Sequence, residues 1–326
     1  MQSRNFHIST LGKNSKPGNS CPRRLIFQFL TALLRSLFKE KIKMKTIVIS
    51  GLGLIGSSIA RIMKQADPAI EIIGCDPDDD SAQFLLTQRV IDRRLTFAAA
   101  VPLADIIVLA GPVSVIIEQI RKLAVMPLKD NVLVTDVGSS KVTIMDAAQL
   151  LIDNQIAFLG GHPMAGSHES GSQSGRINLF AGATYFLVSG SQTRNQLSEF
   201  QRLMAPAKVR WTEIAANDHD QLVSELSHVP HVIATTLVNT VAKSVKNNQI
   251  GLQAAAGGFK DTTRIAASDP TMWTAILLSN GGEICKELED FKAQLTQFEA
   301  AIRRGDRQEI FETLKKAQRI RQSLDR

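Results

Sequence analysis

The sequence predicts a doubly wound α/β sheet over residues 44–212, joined to an all-α region over 213–326. Three observations predict it. Short apolar runs alternate with helical stretches from Thr46 to Trp211, as strands buried on both faces and covered by helices require. The first run passes directly into Gly51-Leu52-Gly53-Leu54-Ile55-Gly56. Beyond about residue 213 the strand period stops and the apolar spacing is helical.

The glycine stretch has the right setting on both sides. Thr46-Ile47-Val48-Ile49 reads as a strand, and Ile55, Ile59, Ile62 and Met63 form the apolar face of a helix. Between such elements, Gly-x-Gly-x-x-Gly is a Rossmann-type dinucleotide fingerprint. Gly51 permits the tight turn, Gly53 lets backbone N–H groups approach a pyrophosphate, and Gly56 lets the helix pack closely. Leu54 and Ile55 open the helix whose unpaired donors and positive end would face the phosphates. The next strand, Glu71–Cys75, ends at Asp76, 20 residues past Gly56. A carboxylate there accepts from a ribose 2′-OH and repels a 2′-phosphate, so NAD is expected rather than NADP. The competing reading is a doubly wound domain whose glycines serve turn geometry alone.

Later elements follow in alternation. A helix is expected over 78–88, a short strand near Leu95–Phe97, and a buried strand over Asp105–Ala110 ending at Gly111-Pro112. A helix over about 114–124 leads to a strand at Asn131–Thr135. Ile156–Gly160 is the next strand, and strands near 183–188 and 207–211 flank a helix over 193–204. Ligands of such sheets sit beyond the carboxyl ends of the strands, so loops 51–56, 111–113, 136–141 and 161–167 converge on one crevice. His162 is the sharpest candidate there, as an imidazole able to take a proton from a substrate hydroxyl; a loop histidine bonded to backbone is the bland alternative. Ser139 is a polar candidate or simply a helix N-cap.

Composition narrows the class. Hydrophobic residues make up 44% and charged residues 21% of 326, ordinary for a globular chain of two domains. Cys21, Cys75 and Cys285 suit neither a disulfide framework nor a zinc cluster and point to a reducing, cytoplasmic setting. The net charge of +7 is a property of one end. Residues 1–43 carry nine Lys/Arg against Glu40 alone, leaving 44–326 near neutral, so no nucleic-acid partner is expected. The apolar run Leu25–Phe38 is broken by Arg35 and is shorter than the ~20 residues that span a bilayer. Residues 1–43 are read either as an organelle transit peptide or, preferably, as an overextended frame with Met44 as the start. In both cases they are expected to be poorly ordered.

In the helical region, one long helix is expected from Asn217-Asp218 to about Val245, kinked at Pro230, whose missing N–H would leave the Leu226 carbonyl free. Ser227 and His231 fall about 40° apart on one face, either as a site or as a core histidine bonded to a carbonyl. His219 and His228 lie on opposite faces of such a helix, which argues against metal. Asp261 is expected to N-cap a helix with Arg264 in its first turn, placed to bind a carboxylate, unless Arg264 is an ordinary surface arginine. Segments 280–302 and 306–324 are amphipathic and suit packing on another subunit.

Taken in order, Gly51–Gly56, Asp76, Asp136-Val-Gly-Ser139-Ser-Lys141, His162-Pro-Met-Ala-Gly-Ser167, Ser227-His-Val-Pro-His231 and Gly258-Phe-Lys-Asp-Thr-Thr-Arg264 with Trp273 resemble the prephenate dehydrogenase family, arogenate-using members included. The likeness covers about 44–326. It implies an N-terminal Rossmann-type domain and a helical domain that dimerises, giving a homodimer through the C-terminal helices with neither metal nor membrane. It also implies NAD-dependent oxidative decarboxylation of prephenate to 4-hydroxyphenylpyruvate, on the route to tyrosine. His162 would accept the proton of the ring hydroxyl with Ser139 orienting it. Arg264 would hold a substrate carboxylate, and Ser227 and His231 would line the pocket. Arogenate dehydrogenase is the near alternative and a non-catalytic NAD-binding sensor the remote one. No chorismate mutase or regulatory domain is expected after Arg326.

Overall fold

Eight strands form the centre of the computed structural model, which describes residues 44–165, 169–248 and 250–324. They are β1 (Thr46–Ser50), β2 (Glu71–Cys75), β3 (Arg93–Arg94), β4 (Ile106–Leu109), β5 (Leu133–Asp136), β6 (Ala157–Pro163), β7 (Thr184–Ser189) and β8 (Arg210–Glu213). Their spatial order is β3-β2-β1-β4-β5-β6-β7-β8. The sheet is parallel as far as β6; β7 then runs antiparallel to β6, and β8 parallel to β7. The order reverses between β1 and β4, the switch point where such sheets take ligands. The basic extension over 1–43 lies outside the described residues, as do Gly166 and Ser167.

Alternation along β1 divides the core. Ile47 and Ile49 face one layer with Ile59 and Ile62, while Val48 faces the other with Ile107 and Val134. The helices over these faces are α1 (Leu54–Ala66), α2 (Asp79–Thr87), α3 (Val113–Leu123), α4 (Val142–Asp153) and α5 (Arg194–Leu203). Thr193 and Gln196 close a capping box at α5.

Local differences from the sequence reading have local causes. The third strand is Arg93–Arg94, because Thr96 instead caps a helical turn at Phe97–Ala100. Asn131 has φ 60°, which delays β5 to Leu133. The last strand begins at Arg210, after Lys208 takes a left-handed turn. β6 runs on to Pro163 because β7 pairs with it through His162↔Phe186 and Pro163↔Tyr185. His162 is therefore a strand residue rather than a loop residue.

After β8 the described chain is helical: α6 (Ala216–Val223), α7 (Val229–Ser244), α8 (Gly257–Thr263), α9 (Pro270–Ser279), α10 (Gly281–Arg304) and α11 (Arg307–Ser323). The expected single helix is α6 and α7 joined by a π-turn at Ser224–His228, in which Val229 N–H donates to the Ser224 carbonyl. Pro230 removes a donor just beyond, so the extra residue is absorbed by widening the helix. Asp261 lies inside α8, and Arg264 follows the helix in a 3₁₀ turn. The expected first-turn position of Arg264 is therefore wrong. The residue that caps the next helix is Asp269, which accepts from Met272 N–H at 2.7 Å.

The glycine loop is sterically closed around its own backbone. Gly51 has φ +97°, and a Cβ on Gly56 would lie 1.9 Å from the Gly51 carbonyl oxygen. Gly56→Ala is expected to cost about 1–3 kcal/mol of stability and to weaken NAD binding at least tenfold. Thermal unfolding with and without NAD measures both effects; a variant that binds NAD normally contradicts the packing.

Candidate active site

At the switch point, Asp76 holds the glycine loop in place. Its Oδ2 accepts from Leu52 N–H at 2.6 Å and its Oδ1 from Asp78 N–H at 2.8 Å. Each carboxylate oxygen can accept twice, so capacity remains for a ribose hydroxyl. Helix α1 has no side-chain cap and no acid in its first turn, and a Cβ on Gly53 would meet nothing within 4 Å. Open space therefore lies over an uncapped helix end, which fits a pyrophosphate. Gly111 and Pro112 sit across from this loop: Pro112 caps α3, and a Gly51 Cβ would strike the Ala110 carbonyl carbon at 2.6 Å.

Beyond β5 and β6 the site is built on buried charge. Lys141 and Asp136 are both fully buried and joined by an ion pair. Lys141 Nζ also donates to the Gly161 carbonyl at 2.8 Å. Asp136 accepts from Gly138 N–H at 2.7 Å and Gly161 N–H at 3.1 Å. These bonds tie the loop after β5 to the β6 backbone beside His162. Burial lowers the Lys141 pKa, and Asp136 opposes that shift.

The helical region enters through α6. Asp220 accepts from Lys141 N–H at 2.6 Å and Val142 N–H at 2.9 Å, which caps α4 from another element. The neighbouring His219 is fully buried. Its Nδ1 is 2.7 Å from Asp220 Oδ1, and its Nε2 is 2.8 Å from His162 Nδ1. The His219 ring also meets Phe186 edge-on at 5.4 Å, so it packs on the cross-strand pair His162↔Phe186.

Farther along, His228 Nδ1 lies 3.3 Å from Asn280 Nδ2. His231 stacks flat on Trp273, with ring centroids 3.5 Å apart, and its buried Nδ1 has no partner among the described residues. The structure thus gathers His162, His219, His228 and His231. His162 lies well below the ordinary 6.5, first through burial, then through His219, Lys141 and His228. Burial also lowers His219 and His231 and takes His228 to about 4 despite Asp220. The ring that meets His162 is His219; no hydrogen bond joins Ser139 to His162 among the described residues. Ser227 is half-buried in the π-turn. Arg264 is exposed, in a turn that packs against α7.

His219, Asp220 and the Asp136–Lys141 pair went unassigned in the sequence reading, where His219 figured only in the case against metal. The available signal was a His-Asp dipeptide at the start of the helical region; nothing local told which strand it would reach.

An open dinucleotide loop and a half-buried histidine whose pKa is lowered, at the same edge of a doubly wound sheet, fit an NAD-dependent dehydrogenase with a helical second part. The family description "Prephenate dehydrogenase, nucleotide-binding domain" matches residues 59–213 and "Prephenate dehydrogenase, dimerization domain" matches 215–316. The chain belongs to the prephenate dehydrogenase family. It is 39% identical over 284 residues to the prephenate dehydrogenase of Lactococcus lactis, covering 86% of this chain and 78% of that one. The prephenate dehydrogenase of A. aeolicus, solved in complex with hydroxyphenyl propionate and NAD+, superposes with a TM-score of 0.79 at 30% identity, covering 87% of this chain and 99% of that one. Synechocystis arogenate dehydrogenase gives a TM-score of 0.73 at 28% identity, with coverage of 86% and 99%. No helix among the described residues is long and apolar enough to cross a membrane.

The four lowered histidines have a consequence for stability. Below pH 6.5 each binds fewer protons folded than unfolded, so stability is whole above that pH and is lost as pH falls toward the folded values. Tm is expected to be flat from pH 8 to 7 and to fall progressively from pH 6.5 to 5; calorimetry showing no decline there contradicts the buried neutral cluster.

Proposed function

We propose that this protein oxidises prephenate, with loss of CO2, to 4-hydroxyphenylpyruvate, using NAD as the oxidant. The observation that carries this reading is the neutral His162 at the carboxyl end of β6, on the sheet edge that bears the glycine loop, in a chain of this family. Gly51, Gly53 and Gly56, with Leu54 and Ile55 at the α1 end, would hold the pyrophosphate. Asp76 would hold the ribose, and Gly111 and Pro112 would form the opposite wall. NAD, when bound, supplies a two-electron acceptor. The protein's part is to bind, orient and move one proton. His162 takes the proton of the ring hydroxyl, which it can do because burial keeps it neutral.

Arg264 is assigned the substrate carboxylate, with Ser227 and His231 lining the pocket and Ser139 beside the imidazole. Its place in a turn against α7, the helix of His231, supports that role. The exposed Phe291, Leu295, Ile302, Phe311, Leu314 and Ile320 of α10 and α11 are assigned to a homodimer interface, in a cytoplasmic enzyme. The arogenate reading is supported by the likeness to the Synechocystis enzyme.

Side-by-side turnover of prephenate and arogenate, each with NAD and NADP, tests the proposal. Prephenate with NAD is expected to be the fastest pair; turnover of arogenate alone would overturn the substrate, and turnover of neither would favour a sensor. His162→Asn is expected to lower kcat about 10²–10⁴-fold with NAD affinity nearly unchanged, and a normal kcat removes His162 from the chemistry.

A further inference from the structure

Asp220, His219 and His162 form a chain of three side chains that runs from the helical region into the sheet. Both oxygens of the Asp220 carboxylate accept from backbone: Lys141 N–H at Oδ1 and Val142 N–H at Oδ2, and Oδ1 also faces His219 Nδ1. A carboxylate can only accept, so the proton between Asp220 and His219 sits on His219 Nδ1. A neutral imidazole carries one N–H, which leaves His219 Nε2 as an acceptor. The proton in the 2.8 Å bond to His162 therefore belongs to His162 Nδ1, and His162 Nε2 keeps its lone pair.

We infer that His219 is a positioning residue, which with Asp220 behind it locks His162 in the Nδ1–H tautomer so that Nε2 faces the substrate as a base. The inference rests on the assignment of His162 as the proton acceptor. When the substrate O–H bond breaks, an N–H bond forms at His162 Nε2. The positive charge then stays on that ring, its Nδ1–H pointing at the lone pair of His219. The charged and titratable groups around the pair are Lys141 and Asp136 from the sheet side and Asp220 and His228 from the helices. Asp220 supplies the only charge in direct contact with His219 among the described residues, and Phe186 closes the apolar side.

The same geometry gives His219 a place that packing alone does not require. Leucine would fill the space against Phe186 but offer His162 no acceptor. Glutamine would return an acceptor oxygen near the Nε2 position.

The test uses the full chain labelled with ¹⁵N-histidine, without substrate, with the His162→Asn variant to assign signals. Long-range ¹H–¹⁵N spectra at neutral pH are expected to show His162 protonated at Nδ1. In His219→Leu the Nε2–H form should appear, and in His219→Gln the Nδ1–H form should remain. An Nε2–H signal for His162 in the unmodified protein overturns the inference even if His219→Leu does not fold. With prephenate and NAD, His219→Leu should lose about 10²-fold or more in kcat, with KM changed less than threefold, and His219→Gln should recover to within tenfold. A loss expressed in KM alone, or an equal loss in the Gln variant, overturns it. The tautomer is read without turnover, so an inactive protein with the expected spectrum would overturn the substrate assignment and leave the positioning role standing.

Discussion

The buried Lys141–Asp136 pair is the interaction on which the site depends. Removing both charges from water is expensive, and such pairs persist only where further hydrogen bonds satisfy both ions. Here the Gly161 carbonyl accepts from the ammonium, and Gly138 and Gly161 N–H groups donate to the carboxylate. The two bonds to Gly161 cross from the end of β5 to the end of β6, while the Gly138 bond closes the loop after β5 on itself. The end of β6 that carries His162 is thereby tied to the loop after β5 by charge that cannot easily be broken singly.

A second carboxylate extends that frame to the helices. Asp220 caps α4 with two bonds to its backbone and holds His219 with a third. One side chain thus couples the helix after β5, the first helix beyond the sheet, and the imidazole that contacts His162. At the π-turn next to it, His228 in the turn and His231 in the first turn of the following helix both pack on Trp273. His219, His228 and His231 are buried and His162 half-buried, and this desolvation lowers the pKa of all four rings.

The cofactor end is organised differently. Its shape comes from Gly51 and Gly56, which admit no Cβ, and from Asp76, which braces the loop through Leu52 N–H. An uncapped helix terminus is left facing open space. The charged, hydrogen-bonded end around His162 and the open backbone cradle at the glycine loop are thus held by different physics.

The alternation of strand and helix, the glycine loop and Asp76 were legible in the sequence because they depend on local rules: apolar runs make buried strands, and a tight turn demands glycine at fixed spacing. The residues His162, His231 and Arg264 were legible as types at recognisable spacings. The sequence by itself determined the fold class, the cofactor loop and the presence of an imidazole at a strand's end. Only the tertiary structure decided that His162 lies within a strand, that Arg264 follows a helix rather than opening one, and that His219 and Asp220 stand behind His162. Those facts depend on an antiparallel neighbour, a π-turn, and contacts across 57 and 79 residues of chain, and no local pattern of side chains encodes which distant backbone will meet them.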